Sequence, residues 1–144
     1  MERYAIFKQR QNDEFNKFPI GCAFSNQQLE DMMKKFNLPN DKTGYRQLVN
    51  IGPGVFIKKS DVDAFLALDQ KLKAEREAYI KSDEGFLAAL EYEFGNHECQ
   101  ISWRWEEALA AVGLKESELD EHRMKLYVKA QGDWMAKCRK NDWF

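Results

Sequence analysis

The sequence predicts an α+β fold in which a small antiparallel sheet is covered by about five helices. Apolar residues recur at helical spacing in five segments, and shorter β-prone runs bounded by Gly, Pro or Asn lie between them. The chain has 144 residues, of which 44% are hydrophobic and 13% aromatic, enough for one buried core. We therefore expect a single domain over residues 1–144, with strands at 18–24, 45–51, 55–58 and 97–103.

The N-terminal residues 1–17 are mostly polar with scattered apolar side chains, and they predict either a short helix or a loosely packed arm. In the segment 18–24, apolar side chains fall on alternate positions, which is the pattern of a strand. Pro19 cannot donate a backbone hydrogen bond, so either this strand lies at an edge of the sheet or Pro19 lies at the start of the strand.

The clearest helix start in the chain follows directly. Ser25 and Gln28 form a capping box, in which each side chain satisfies a free backbone N–H of the first helical turn. Asn37 and Pro39 are typical of a helix end. The apolar residues between these signals are spaced i, i+3, i+4 and i+7: Leu29, Met32, Met33 and Phe36.

A β-hairpin is predicted where Gly52, Pro53 and Gly54 join the strands 45–51 and 55–58. These three residues lack the spacing of the phosphate-binding glycine motifs. We therefore interpret them as a structural turn.

The rest of the chain is predicted to be mainly helical. Apolar spacing indicates helices over about 60–81, 86–95, 105–113 and 115–140. Between the second and third of these, the alternation of apolar and polar residues over 97–103 predicts a half-buried strand.

The densest cluster of reactive side chains lies at the start of that predicted strand. Asn96, His97 and Glu98 could belong to a metal site, and Cys99 with His97 to a nucleophilic pair. However, strand alternation points His97 and Glu98 to opposite faces, which weakens the case for a shared metal. We interpret Gly95, Asn96 and His97 as structural residues that stop one helix and set the direction of the strand. The sequence indicates no catalytic residue, no metal and no cofactor.

Composition and charge limit the classes of protein to be considered. The net charge of -2 and the pI of about 5.8 lack the basic surplus of a general nucleic-acid binder. The three cysteines are never paired as CxxC, which favours reduced thiols in the cytoplasm. The N-terminal segment lacks the apolar run of a signal peptide, and no run has the length of a membrane span, so we expect no membrane contact.

Two tryptophans around an arginine are the best candidates for a binding surface. Trp103 and Trp105 flank Arg104, and these residue types are common both at protein interfaces and at base-stacking sites. The full set of candidate binding residues, chosen for aromatic or charged side chains, is Trp103, Arg104, Trp105, Glu98, Lys58 and Lys59.

Several stretches together resemble a family of small, largely uncharacterised accessory proteins of gut-bacterial phages, plasmids and conjugative elements. The similar stretches are FPIGCAFSNQQLEDMMKKFNL (18–38), IGPGVFIKKSD (51–61), LEYEFGNHECQISW (90–103) and WEEALAAVGL (105–114). The most specific parts are residues 22–26 and the NHE at 96–98, and the chain departs from the family's pattern at Arg104, where a carboxylate is usual. The resemblance implies a mobile-element setting, in which non-enzymatic inhibitors of host defence, anti-CRISPR proteins among them, are common.

The sequence and this setting together favour a non-enzymatic inhibitor or adaptor that acts in the bacterial cytoplasm. The expected partner is a host protein, with a CRISPR effector nuclease as the leading candidate. The first alternative is a nucleic-acid-binding regulator that uses Lys58, Lys59, Trp103 and Arg104. The second is a metal-dependent enzyme built on the Asn96-His97-Glu98 region. The oligomeric state is left open.

Overall fold

The computed structural model describes all 144 residues and contains eight α-helices and three strands, which confirms the α+β class and the small antiparallel sheet. The helices are α1 (Tyr4–Asn16), α2 (Asn26–Lys35), α3 (Lys42–Tyr45), α4 (Val62–Tyr79), α5 (Asp83–Asn96), α6 (Cys99–Ser102), α7 (Trp105–Val112) and α8 (Glu121–Asn141). The strands are β1 (Gly21–Cys22), β2 (Leu48–Gly52) and β3 (Val55–Lys58). No helix combines the length and the apolar character that crossing a bilayer requires.

The chain divides into two compact units. Met1–Arg10 and Leu72–Phe144 form the helical unit, and Gln11–Lys71 form the sheet unit. The expectation of a single domain over the whole chain stays a prediction.

In the sheet unit, the three strands are antiparallel in the order β1-β3-β2. The predicted hairpin is confirmed, with Pro53 and Gly54 connecting β2 to β3. Gly54 has φ 68°, a value that Gly adopts without strain, and a side chain there would meet the ring of Phe24 at 2.3 Å. Gly52 lies at a register shift in β2, where its N–H donates to the side chain of Asn50 at 3.0 Å.

Helix α2 begins as the sequence predicts. The Ser25 hydroxyl accepts the Gln28 N–H at 3.1 Å, while the Gln28 amide oxygen accepts the N–H of Phe24 at 2.7 Å. In an ideal capping box the Gln28 side chain would accept the N–H of Ser25, the N-cap residue. Here it accepts the N–H of the residue before Ser25. The apolar face of α2 forms the core of the sheet unit, with Met32, Met33 and Phe36 all buried.

In the sheet unit, the strand predicted at 55–58 has the observed bounds, whereas those predicted at 18–24 and 45–51 are longer than the observed strands. Only Gly21–Cys22 of the segment 18–24 pairs in the sheet, at an edge. Tyr45 belongs to α3, because the Asp41 carboxylate accepts two backbone N–H groups and starts a helical turn there.

The helical unit is built around α5, which packs against α7 and α8. Its largest fully buried side chains include Phe86, Leu90 and Phe94 of α5, Leu109 of α7 and Tyr127 of α8. Tyr4 and Phe7 of α1 belong to the same core, so the N-terminal segment forms a packed helix and not a loose arm.

The predicted strand at 97–103 is wrong, because the segment contains the single helical turn α6. Helix α5 continues through Gly95 and Asn96, and the left-handed residue that ends it is Glu98, with φ 47°. The alternation of apolar and polar residues does not produce a strand here: Cys99 is buried while Ile101 is 58% exposed, so the two side chains do not share an inward face.

The junction between α4 and α5 leaves no room for a side chain at Gly85. A Cβ atom there would lie 1.9 Å from the carbonyl oxygen of Tyr79. We expect Gly85→Ala to lower the free energy of unfolding by about 1–3 kcal/mol in urea denaturation, the usual cost of overpacking. The matched control is Gly132→Ala in α8, where a Cβ atom would meet nothing within 4 Å.

The control should raise the free energy of unfolding by about 0.5–1 kcal/mol, because Ala favours a helix over Gly. Equal effects of the two substitutions would contradict the close approach of the Tyr79 carbonyl.

Candidate functional site

The backbone around α6 is unusual on both sides. Glu98 precedes the turn with φ 47°, and Trp103 follows it with φ 57°. Non-glycine residues rarely adopt positive φ, and for a bulky residue such as Trp this conformation is an outlier. The surrounding contacts must therefore fix it.

Side-chain hydrogen bonds hold this turn in place. The Ser102 hydroxyl donates to the carbonyl of His97 at 2.7 Å and accepts the N–H of Arg104 at 3.3 Å. The Gln100 amide accepts from the Trp134 indole and donates to the carbonyl of Trp143, both at 3.1 Å. Ser102 thus satisfies backbone groups on both sides of the helical turn, while Gln100 connects the turn to Trp134 of α8 and to the carbonyl of Trp143.

Trp103 and Trp105 form two walls of an open cleft. Their ring centroids lie 6.2 Å apart with the ring planes at 84°. Trp103 is 66% exposed, whereas Trp105 is half-buried and meets the buried ring of Phe94 edge to face at 5.0 Å. We call this space of about 330 Å³ the tryptophan cleft; its lining residues are Trp103, Arg104, Trp105, Glu106, Glu107, Glu116 and Gln131.

The tryptophan cleft carries more negative than positive charge. Three carboxylates line it, and the only basic side chain among its residues is Arg104. Arg104 pairs with Glu107 at 3.6 Å, and both side chains are more than half exposed. Neither Glu106 nor Glu116 has a basic partner, which leaves a local excess of two negative charges.

Glu116 is held in place by a tyrosine. The buried Tyr127 hydroxyl donates to Glu116 Oε1 at 3.1 Å. Burial, and after it the carboxylate of Glu116, raises the pKa of Tyr127 above its ordinary range. Tyr127 therefore stays a hydrogen-bond donor at neutral pH and anchors this carboxylate at the edge of the cleft.

Three of the six predicted binding residues come together in the tryptophan cleft: Trp103, Arg104 and Trp105. Glu98 is exposed but does not line it. Lys58 and Lys59 belong to the sheet unit, at the end of β3 and the short 3-10 turn after it. Sequence reasoning missed the carboxylates; Glu106 and Glu107 could have been found, since they follow Trp105 directly.

A second polar cluster surrounds Glu93, a carboxylate in helix α5. Glu93 is fully buried in α5 and forms an ion pair with Lys8 of α1. Its second carboxylate oxygen lies 3.4 Å from His97 Nε2 and accepts from the Asn96 amide at 3.4 Å. Asn96 is the last residue of α5 and His97 is its C-cap, but their side chains contact a buried carboxylate and no strand follows them.

The environment of Cys99 does not resemble that of a nucleophilic thiol. Cys99 is fully buried, and its thiol donates to the carbonyl of Arg104 at 3.6 Å. Burial, and after it the nearby carboxylates of Glu107 and Glu93, raises the pKa of Cys99 to about 11. The thiol is therefore protonated at neutral pH, the less reactive form. No group of three or more His, Cys, Asp or Glu side chains has a geometry suited to a metal ion.

The fold and the cleft define a small α+β protein with an exposed aromatic site bordered by carboxylates. The chain belongs to DUF7659, a family of unknown function, which it matches over residues 3–131. The matched region includes every residue of the tryptophan cleft. No curated protein and no solved structure matches the chain.

Proposed function

We propose that this protein acts by binding another protein, as a non-enzymatic inhibitor or adaptor. The observation that carries the proposal is the conformation of Trp103, which has φ 57° while its side chain is 66% exposed. A strained backbone of this kind costs about 1–3 kcal/mol, and an exposed indole offsets little of that by burial. Strained residues that persist in a fold cluster at functional sites, and Trp is the residue type most enriched at the energetic centres of protein interfaces.

The neighbours of Trp103 support the same proposal. Ile101, two residues before Trp103, is 58% exposed, and Arg104 presents a mostly exposed guanidinium directly after Trp103. Because hydrogen bonds already fix the backbone that carries these side chains, binding through them would cost little backbone entropy. This surface therefore suits a preformed contact with a folded partner.

The proposal also covers the genetic element that encodes the protein and the identity of its partner. We propose that the protein belongs to a mobile genetic element and that its partner is a host protein, with a CRISPR effector nuclease as the leading candidate. This part rests on the resemblance of residues 18–114 to accessory proteins of such elements.

The nucleic-acid alternative has weaker support. Trp103 could stack on a base, but the three carboxylates of the tryptophan cleft would repel a phosphate backbone. Lys58 and Lys59, the other basic residues of that alternative, belong to the sheet unit and do not line the cleft.

The experiment is a pull-down from host lysate with the wild-type protein and the variant Trp103→Asn as baits. Asn tolerates the left-handed conformation better than Trp, so this variant removes the indole without adding backbone strain. Leu66→Ala is the matched control, because Leu66 is 52% exposed in α4, away from the cleft residues in sequence.

We expect the wild-type protein and the control to retain one or more host proteins that Trp103→Asn does not retain. A host protein identified in this way should also bind the wild-type protein when both are purified. Retention should be insensitive to salt between about 50 and about 200 mM. Capture of nucleic acid that falls steeply over that range would favour the regulator instead. If no bound protein depends on Trp103, the proposal is wrong.

A further inference from the structure

We propose that the tryptophan cleft takes an arginine side chain from a protein partner. This inference rests on the proposed function, since it names the chemistry that the same site would recognise. Two features of the cleft support it: the arrangement of the two indole rings and the charge of the side chains around them.

The two rings form a corner suited to a flat cation. Their planes lie at 84° with centroids 6.2 Å apart, so the rings contact each other edge to face and stand as two nearly perpendicular walls of the cleft. A guanidinium over an indole face is attracted by the negative face of the ring, and Trp is the best aromatic partner in such pairs. Arginine is also less strongly hydrated than lysine and stacks on aromatic rings.

The carboxylates supply the complementary charge. Glu116 and Glu106 line the cleft without a basic partner, while Arg104 is occupied by Glu107 at 3.6 Å. The hydrogen bond from Tyr127 fixes Glu116 at 3.1 Å, so one carboxylate is already oriented before anything binds. A guanidinium can form two parallel hydrogen bonds to a carboxylate, which an ammonium cannot match.

The size of the cleft agrees with a single side chain. A space of about 330 Å³ is at the lower end of ligand pockets, too small for a folded element but sufficient for one guanidinium and part of its stem. Ile101, 58% exposed nearby in the sequence, would then contact the partner outside the cleft.

The probe is a capped glycine–arginine–glycine tripeptide, titrated against the labelled protein while the indole N–H signals are recorded by NMR. All four tryptophans give such signals, and Trp134 and Trp143 do not line the tryptophan cleft, so they are internal references. We expect saturable shifts of the Trp103 and Trp105 signals, with a dissociation constant on the order of 1 mM, while the two references stay unchanged. The same peptide with citrulline, a neutral analogue of arginine, should give no saturable shift.

Variants test the role of the carboxylate. Glu116→Gln keeps an acceptor for Tyr127 but removes the charge, and it should weaken peptide binding about tenfold. Glu121→Gln is the matched control, since it removes one negative charge from an exposed position outside the cleft and should leave binding unchanged.

Two results would overturn the assignment: no saturable shift of the Trp103 and Trp105 signals, or equal shifts with the citrulline peptide. Neither result affects the pull-down, which reports contact of Trp103 with a protein of any surface chemistry. Conversely, binding of the arginine peptide without capture of a partner through Trp103 would contradict the proposed function and leave the cation site intact.

Discussion

Lys8→Met should lower the free energy of unfolding by about 3 kcal/mol. Lys8 forms the ion pair with Glu93, whose carboxylate is fully buried in α5. Removing one member of a buried pair leaves an uncompensated charge and typically costs about 3–5 kcal/mol. We expect a loss of stability at the low end of this range for two reasons. The Lys8 side chain is 30% exposed, and His97 lies 3.4 Å from the second carboxylate oxygen of Glu93.

Urea denaturation followed by tryptophan fluorescence measures this effect, because all four tryptophans lie in the helical unit. The double variant Lys8→Met with Glu93→Leu should recover most of the loss, since an apolar pair of similar size can replace a buried ion pair. Lys129→Met is the matched control: it breaks an exposed pair with Asp133 and should change stability by less than about 1 kcal/mol.

A double variant as unstable as Lys8→Met alone would contradict this account. It would mean that the free energy of unfolding falls because the aliphatic part of the Lys8 side chain no longer packs, and not because the Glu93 carboxylate lacks a partner. Lys8 does contact an aromatic ring, since its ammonium lies 5.2 Å from the ring centroid of Tyr92, so the two causes need this separation.

The helices that the sequence predicts best are those with both a start signal and an apolar stripe. Helix α2 begins after Ser25 because the Ser25 and Gln28 side chains satisfy backbone groups locally. The Pro53-Gly54 turn is likewise fixed by local preferences, since Pro sets φ and Gly accepts the positive φ that follows. Elements whose cause lies within a few residues can be predicted from those residues.

The strand prediction for the segment 97–103 is wrong for the opposite reason. Its helical turn depends on partners far away in the chain: Gln100 is held by Trp134 and by the carbonyl of Trp143. Those contacts stabilise a positive φ at Trp103 that the local sequence opposes. Alternation over seven residues is also a weak signal, because a short turn with one buried side chain can produce it.

The candidate site was therefore found only in part. The pair of tryptophans around Arg104 is visible in the sequence, but the fold brings Glu116 to the cleft, where Tyr127 of α8 donates a hydrogen bond to it. Glu93 is a similar case, since a carboxylate in an apolar helix gives no local sign that Lys8 will pair with it. Charges whose partners lie in other elements cannot be placed without the fold.

Phe94→Ala should lower the free energy of unfolding by about 3–5 kcal/mol, the usual loss when a buried Phe is truncated. Phe94 is fully buried in α5, and its ring meets Trp105 edge to face at 5.0 Å and Tyr127 at 6.3 Å. It therefore supports both the wall of the tryptophan cleft and the tyrosine that holds Glu116. We expect the Trp105 indole signal to move in the NMR spectrum while the Trp143 signal does not.

Two further variants separate packing from ring shape. Phe94→Leu should lose less stability, because it keeps most of the buried volume, yet it should still move the Trp105 signal since the edge-to-face contact is gone. Val128→Ala, at a 58% exposed position of α8, should stay within about 0.5 kcal/mol of the wild type. A loss below about 1 kcal/mol for Phe94→Ala, or an unmoved Trp105 signal, would mean that the core does not support the cleft through this ring.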